Sequence, residues 1–234
     1  MTPPISNTFF HGPADPGPAI AEAPRTRHDL TDDAGKRAFD VTAALVLCLI
    51  LLPVLLFLII ALRCSGSPVF YSHQRVGRHG KPFGCLKLRT MRPDGDKMLE
   101  ALLQSDPAAR QEWLATRKLR NDPRITRLGR FLRTTSLDEL PQLFNVLRGD
   151  MSLVGPRPVV ASELTQYYGP DGAAAYEAVR PGITGLWQVS GRSDTGYAER
   201  VALDMAYVRD RSLLLDLKIL WRTVGAVLCR DGAC

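Results

Sequence analysis

The stretch Ser136-Leu137-Asp138-Glu139-Leu140-Pro141 carries the most chemically suggestive pattern in the chain. Ser136 and Glu139 have the S-x-x-E spacing of a capping box, and Pro141 suits a first helical turn, where a missing N–H costs least. The spacing predicts a short helix over 136–147 with Asp138 and Glu139 at its N-terminus. A capping box explains Ser136 and Glu139 without any catalysis. It does not explain Asp138, or the basic run just upstream: Arg117, Lys118, Arg120, Arg124, Arg127, Arg130 and Arg133, with Asp122 the only acid among them. A helix N-terminus beside arginines is a good place for phosphate. Two adjacent carboxylates there suit a nucleophile and a Mg²⁺ ligand, since magnesium takes one or two carboxylates together with phosphate oxygens. Further along, Pro156 and Pro158 stiffen the backbone around Arg157. A rigidly aimed guanidinium favours bidentate phosphate binding, although a turn held by prolines needs no ligand. The segment Arg180–Gln188 reads as a loop, with Trp187 better suited to the core than to a membrane interface.

Other chemistry finds less support. The five cysteines, Cys48, Cys64, Cys85, Cys229 and Cys234, show no C-x-x-C pair and no His at zinc spacing. Their odd number and irregular spacing argue against a disulfide framework and for a reduced, cytoplasmic setting. There is no Gly-rich phosphate loop of the P-loop or dinucleotide type. The net charge of +6 fits anionic partners: nucleic acid, phosphate-bearing small molecules or acidic lipids. Single-strand nucleic-acid binding would want aromatics among the arginines. Only Phe131 lies in the run, so no nucleic acid is expected.

These residues must be positioned by the elements around them. Val41–Leu62 is 22 residues without a charge, roughly 33 Å as a straight helix and long enough to cross a bilayer core. A fully buried soluble helix is the alternative. Pro53 should kink the segment. Basic residues flank both sides, Arg25, Arg27, Lys36 and Arg37 before and Arg63, Arg75, Arg78 and Lys81 after. The positive-inside tendency would hold both ends on one face, so a re-entrant helix fits better than a span. Residues 1–34 are Pro-rich without apolar period and read as a disordered tail. Ser67–Met91 reads as a β-hairpin turning near Gly77, Gly80 and Pro82. Asp94 to about Leu119 reads as two helices broken at Pro107. Glu163–Tyr168 and Ala198–Arg209 read as helices. Leu213–Leu228 is either an interfacial helix on the bilayer or an ordinary packing helix.

At these residues the chain resembles the bacterial sugar transferases that move a phosphosugar from a UDP-sugar to undecaprenyl phosphate, the monotopic phosphoglycosyl transferases. The resemblance rests on KRAFD at Lys36–Asp40, LKLRTM at Leu86–Met91, TSLDELPQLFNVLRGDMSLVGPRP at Thr135–Pro158 and RPGITGLWQVSGR at Arg180–Arg192. It covers about Lys36 to Leu228 and is strongest for the galactose-1-phosphate transferases of succinoglycan-type exopolysaccharide pathways. It implies that Asp138 is a nucleophile forming an aspartyl phosphosugar with release of UMP, and that Glu139 holds Mg²⁺. It implies phosphate or nucleotide contacts at Arg133, Arg157, Pro156 and Pro158, with Lys87 and Arg89 as weaker carry-overs. Some relatives have a Ser-Pro pair at the membrane kink. Here Leu52 precedes Pro53, so the hydroxyl is missing. The expected architecture is α+β and mainly helical: tail (1–34), re-entrant membrane helix (35–64), and a cytosolic, membrane-associated catalytic domain (65–234) with a short β-hairpin and interfacial amphipathic helices. The expected setting is the cytoplasmic face of a bacterial inner membrane, with membrane lipids, UDP-sugar and undecaprenyl phosphate as partners and a homo-oligomer left open. A non-catalytic membrane scaffold of a polysaccharide assembly is the other reading.

Overall fold

The computed structural model describes residues 27–66, 68–116, 119–190 and 196–228, with side chains described over 33–66, 68–114, 119–190 and 196–226. Helix α1 runs over Arg27–Cys64, 38 residues, with Pro53 inside it. It takes in residues 27–34, which the sequence assigned to the tail. Asp33, in its second turn, meets Arg78 at 2.6 Å. The rest of the expected tail, residues 1–26, lies outside the described residues.

The apolar segment is not a buried soluble helix. One stripe, Ala44, Cys48, Leu51, Leu55, Leu58 and Leu62, packs on the rest of the molecule. Its alternating steps of four and three residues mark a single helical face. That stripe continues across Pro53, and Pro53 does not split α1 into two helices. The remaining faces are bare: Leu49 and Ile50 are each 64 % exposed and Phe57 69 %. Apolar exposure on this scale calls for lipid or a partner. By length and composition, α1 is one helix able to cross a membrane.

Strands β1 (Phe70–Val76) and β2 (Pro82–Leu88) form the expected antiparallel hairpin, with Tyr71 opposite Lys87 and His73 opposite Cys85. Helices α2 (Gly95–Ser105) and α3 (Pro107–Thr116) are the expected pair. Asp106 separates them, and its carboxylate accepts from the amides of Ala108 and Ala109. Helix α4 (Arg127–Thr134) starts at Thr126, whose hydroxyl accepts from the Gly129 amide.

The helix expected over 136–147 is two elements. A 3-10 turn covers Leu137–Glu139, and α5 covers Gln142–Arg148. No capping box forms, because Ser136 sits in the left-handed region at φ 55° and its side chain caps nothing. Then follow β3 (Ser152–Val154), α6 (Ala161–Tyr167), α7 (Gly169–Glu177), β4 (Gly182–Thr184), α8 (Tyr197–Asp210) and α9 (Leu213–Leu228). Strands β3 and β4 pair in parallel, Ser152 with Gly182 and Val154 with Thr184. Strand β4 lies within the segment read as a loop, and β3 in a stretch to which the sequence assigned no element. Mainly helical α+β architecture is what the described residues form.

Three polar residues of the KRAFD segment tie α1 to this core. Arg37 donates to the carbonyls of Val146 (2.7 Å) and Leu147 (3.0 Å) in the last turn of α5, where helix carbonyls run short of intrahelical donors; Val146 also accepts from the C-cap Gly149 amide. Asp40 accepts from the Ser152 hydroxyl (2.8 Å) and the Leu153 amide (3.2 Å). Lys36 pairs with the buried Asp216 of α9 at 2.6 Å. Helix α9 turns Asp216 and Ile219 inward and leaves Leu214, Leu217 and Trp221 outward, Trp221 being 81 % exposed.

Candidate active site

Three elements converge on Asp138. The 3-10 turn presents Asp138 and Glu139, β2 presents Lys87, and α4 presents Arg133 near its C-terminal end. The turn is held on both sides. Its Leu137 and the following Leu140 pack on Leu58, Leu62, Leu88 and Leu132. Below it, Asn145 of α5 is fully buried; its amide donates to the Gly84 carbonyl (2.9 Å) and its oxygen accepts from the Leu86 amide (3.0 Å). One side chain thereby fixes β2, and Lys87 with it, against the helix that follows the acids. Gly129 brings α4 to the other side, since a Cβ there would overlap the Thr90 carbonyl. Thr90 in turn accepts from Arg133 Nε at 2.9 Å.

Asp138 is 8 % exposed, whereas Glu139 opens to solvent. Burial pushes the Asp138 carboxyl up to about 6; the charges of Lys87 and Arg133 oppose that rise, and Glu139 adds to it. Lys87 Nζ sits 2.6 Å from Glu139 Oε1. Burial alone would lower the Lys87 ammonium, but Glu139 and Asp138 outweigh it and hold it above its ordinary value. A buried carboxylate flanked by two cations, with a second carboxylate at the mouth, is an arrangement suited to nucleophilic attack on an anionic phosphoryl group. The exposed Glu139 fits a Mg²⁺ ion, which needs one or two protein carboxylates and takes its other ligands from substrate oxygens and water. Among the described residues no cluster of three or more metal-binding side chains exists, so a closed protein cage is not what these residues offer.

The Pro156–Pro158 turn follows β3 and is fastened along its length. The Pro156 carbonyl accepts from the Gly182 amide (2.8 Å), the Arg157 amide donates to Asp204 (3.3 Å), and the Val159 amide donates to the Tyr176 hydroxyl (3.2 Å). Asp204 is 1 % exposed and also accepts from the Tyr168 hydroxyl at 2.9 Å. Burial raises its carboxyl to about 7 against the pull of those two donors. The Arg157 guanidinium lies over the Trp187 ring, 5.3 Å from its centroid.

The residues singled out in the sequence therefore separate into groups. Asp138, Glu139, Lys87 and Arg133 meet. Arg157, with Pro156 and Pro158, forms a second group, and its charge still reaches Cys85, two residues from Lys87 on the same face of β2. Arg89 stacks beside Tyr71, 5.8 Å from the ring centroid. Pro53 lies apart, in α1. The basic run is not one surface: Arg124 is buried and bidentate to Asp122, with contacts at 2.7–3.1 Å, and lies over Trp113. Residues 117 and 118 lie outside the described residues. Asn145 and Asp204 escaped sequence reasoning, because a polar residue on a short amphipathic helix looks the same whether it faces water or a buried strand.

The model of the family described as "Bacterial sugar transferase" matches residues 31–230, and the chain belongs to that family. It is 53 % identical over 198 residues to a UDP-galactose-lipid carrier transferase of Erwinia amylovora, an alignment covering 85 % of this chain and 41 % of that protein. It is 52 % identical over 200 residues to the exopolysaccharide production protein ExoY of Rhizobium meliloti, covering 85 % and 87 %. It is 44 % identical over 212 residues to a UDP-glucose:undecaprenyl-phosphate glucose-1-phosphate transferase of Caulobacter vibrioides, covering 86 % and 72 %. The chain thus spans less than half the length of the Erwinia relative and most of the length of the Rhizobium one.

Proposed function

We propose that this chain is a phosphoglycosyl transferase that moves a sugar 1-phosphate, galactose or glucose, from a UDP-sugar to undecaprenyl phosphate and so starts an exopolysaccharide repeat unit. The observation that carries the proposal is Asp138: a buried carboxylate on a tight turn, with Lys87 and Arg133 supplying positive charge around it. The names of the relatives agree with it.

In the proposed mechanism an ionised Asp138 oxygen attacks the sugar-side phosphorus of the UDP-sugar. The bond from that phosphorus to the bridging oxygen breaks, and UMP leaves with the electron pair. A phosphate oxygen of undecaprenyl phosphate then attacks the aspartyl phosphosugar, releasing Asp138 as a carboxylate and giving the lipid diphosphate sugar. Lys87 and Arg133 keep Asp138 ionised and offset charge on the phosphoryl oxygens. Arg157, Pro156 and Pro158 hold the nucleotide, and Arg89 adds charge at the edge. Glu139 is the residue that would hold Mg²⁺. When bound, that ion would neutralise diphosphate charge that otherwise repels an anionic nucleophile.

The same proposal places α1 as a re-entrant helix, with the active site at headgroup level on the cytoplasmic face of the inner membrane. Two observations support it. The start of α1 is fastened through Lys36, Arg37 and Asp40, and its end packs through Leu58 and Leu62, all on the same body. The outward apolar face of α9 is suited to lie on the lipid.

The test uses purified protein, Mg²⁺ and a UDP-sugar labelled in the sugar. Release of UMP with label retained on the protein is expected, and Asp138→Asn should abolish both. A non-catalytic scaffold would show neither signal in the unmodified chain, and undiminished turnover in the variant would remove Asp138 from its role.

A further inference from the structure

Trp187 is 7 % exposed, yet the indole carries a guanidinium from each of two distant segments. Arg157, on the turn after β3, has its guanidinium carbon 5.3 Å from the ring centroid; Arg200, in the first half of α8, has its own at 4.8 Å. Among the described residues, neither the buried Arg200 Nε nor the buried Trp187 Nε1 has a hydrogen-bond partner. A buried N–H left without an acceptor is destabilising, and two like charges on one ring repel. The π cloud offsets that only in part. An acceptor-rich anion between the two arginines would relieve each of these costs.

Helix α8 explains how the arrangement holds. Arg200 and Asp204 are four residues apart and lie on one helical face. The Asp204 carboxylate is engaged by the Tyr168 hydroxyl and the Arg157 amide. So α8 supplies a guanidinium from one turn and, from the next, the carboxylate that fastens the backbone under the other guanidinium.

We propose that Arg157 and Arg200 are two jaws of a phosphate clamp built on Trp187, with Arg200 a phosphate-binding residue in its own right. The ligand class is a phosphate monoester or a diphosphate ester carrying about two or more negative charges. The transferase reading offers two sources for it, a soluble nucleoside diphosphate and a lipid phosphate, and the clamp rests on that reading only for these names. Asp204 acts as a positioning residue, working through Arg157.

The experiment is calorimetric titration of the full chain in micelles, once with UDP and once with a short-chain polyprenyl phosphate. Arg200→Ala and the longer, uncharged Arg200→Gln should weaken binding of at least one phosphate by roughly 10- to 100-fold. Arg200→Lys should restore part of it, since a lysine keeps the charge and loses the fork. Loss confined to UDP assigns the clamp to the nucleotide; loss confined to the polyprenyl phosphate assigns it to the lipid. In an Arg157→Ala background, Asp204→Asn should add little, as expected of a residue that works through its neighbour. Unchanged affinity for both phosphates in Arg200→Gln, in a chain that melts like the unmodified one, overturns the clamp. Absence of UMP release from the unmodified protein would instead overturn the transferase reading and leave these affinities standing.

Discussion

In its proposed role as nucleophile Asp138 works only when ionised, and it is held close to the edge of that condition. Its carboxyl titrates at about 6, raised by burial and restrained by Lys87 and Arg133. UMP release should therefore fall as pH drops through that value. Lys87 lowers the Asp138 value, so Lys87→Met should raise it and move the acid limb of the pH–rate profile to higher pH, whatever happens to the maximal rate. A limb that stays in place would mean that Lys87 does not govern Asp138. At this scale the sequence was informative where chemistry makes residue types conspicuous. Asp138 stood out because a capping box left it unexplained, and Arg157 because prolines flank it. Asn145, Asp204 and Arg200 gave no such sign. Their importance comes from partners 61, 47 and 13 positions away, Gly84, Arg157 and Trp187, and no local pattern encodes such a meeting.

Elements were legible in proportion to their length. Helices α2, α3, α8 and α9 follow their apolar period and breakers closely. The short parallel pair β3–β4 was not legible, since three-residue strands have no measurable alternation and their register joins Ser152 to Gly182 across α6 and α7. The capping box failed for a local reason: Ser136 adopts a positive φ instead of the extended conformation an N-cap needs, and its side chain makes no capping hydrogen bond. Helix α1 shows what composition alone hides. Its sequence is apolar all round, yet only one stripe meets protein. Leu58→Ala, on that stripe, should cost about 2–4 kcal/mol, and Leu49→Ala, on the bare face, less than about 0.5 kcal/mol. Thermal unfolding in micelles separates the two; equal losses would show that both faces are packed.

For the whole molecule, the proposed re-entrant course of α1 makes a prediction about its two ends. In a chain whose native cysteines are replaced by serine, single cysteines at Ala34 and Ser65 should both react only with a reagent added on the cytoplasmic side. Labelling from opposite sides would make α1 an ordinary span. The packing of α1 carries one more consequence, for anyone who regards this helix as a removable anchor. A chain begun at residue 65 would lose Leu58 and Leu62 from against Val69, Leu88 and Leu132. It would strip the last carbonyls of α5 of Arg37, β3 of Asp40, and the buried Asp216 of its Lys36 counter-ion. Each loss falls on the scaffold that carries the acid pair. Such a shortened chain should accumulate as aggregate without a cooperative melting transition, because the greasy rod is also the keel on which the catalytic body is laid.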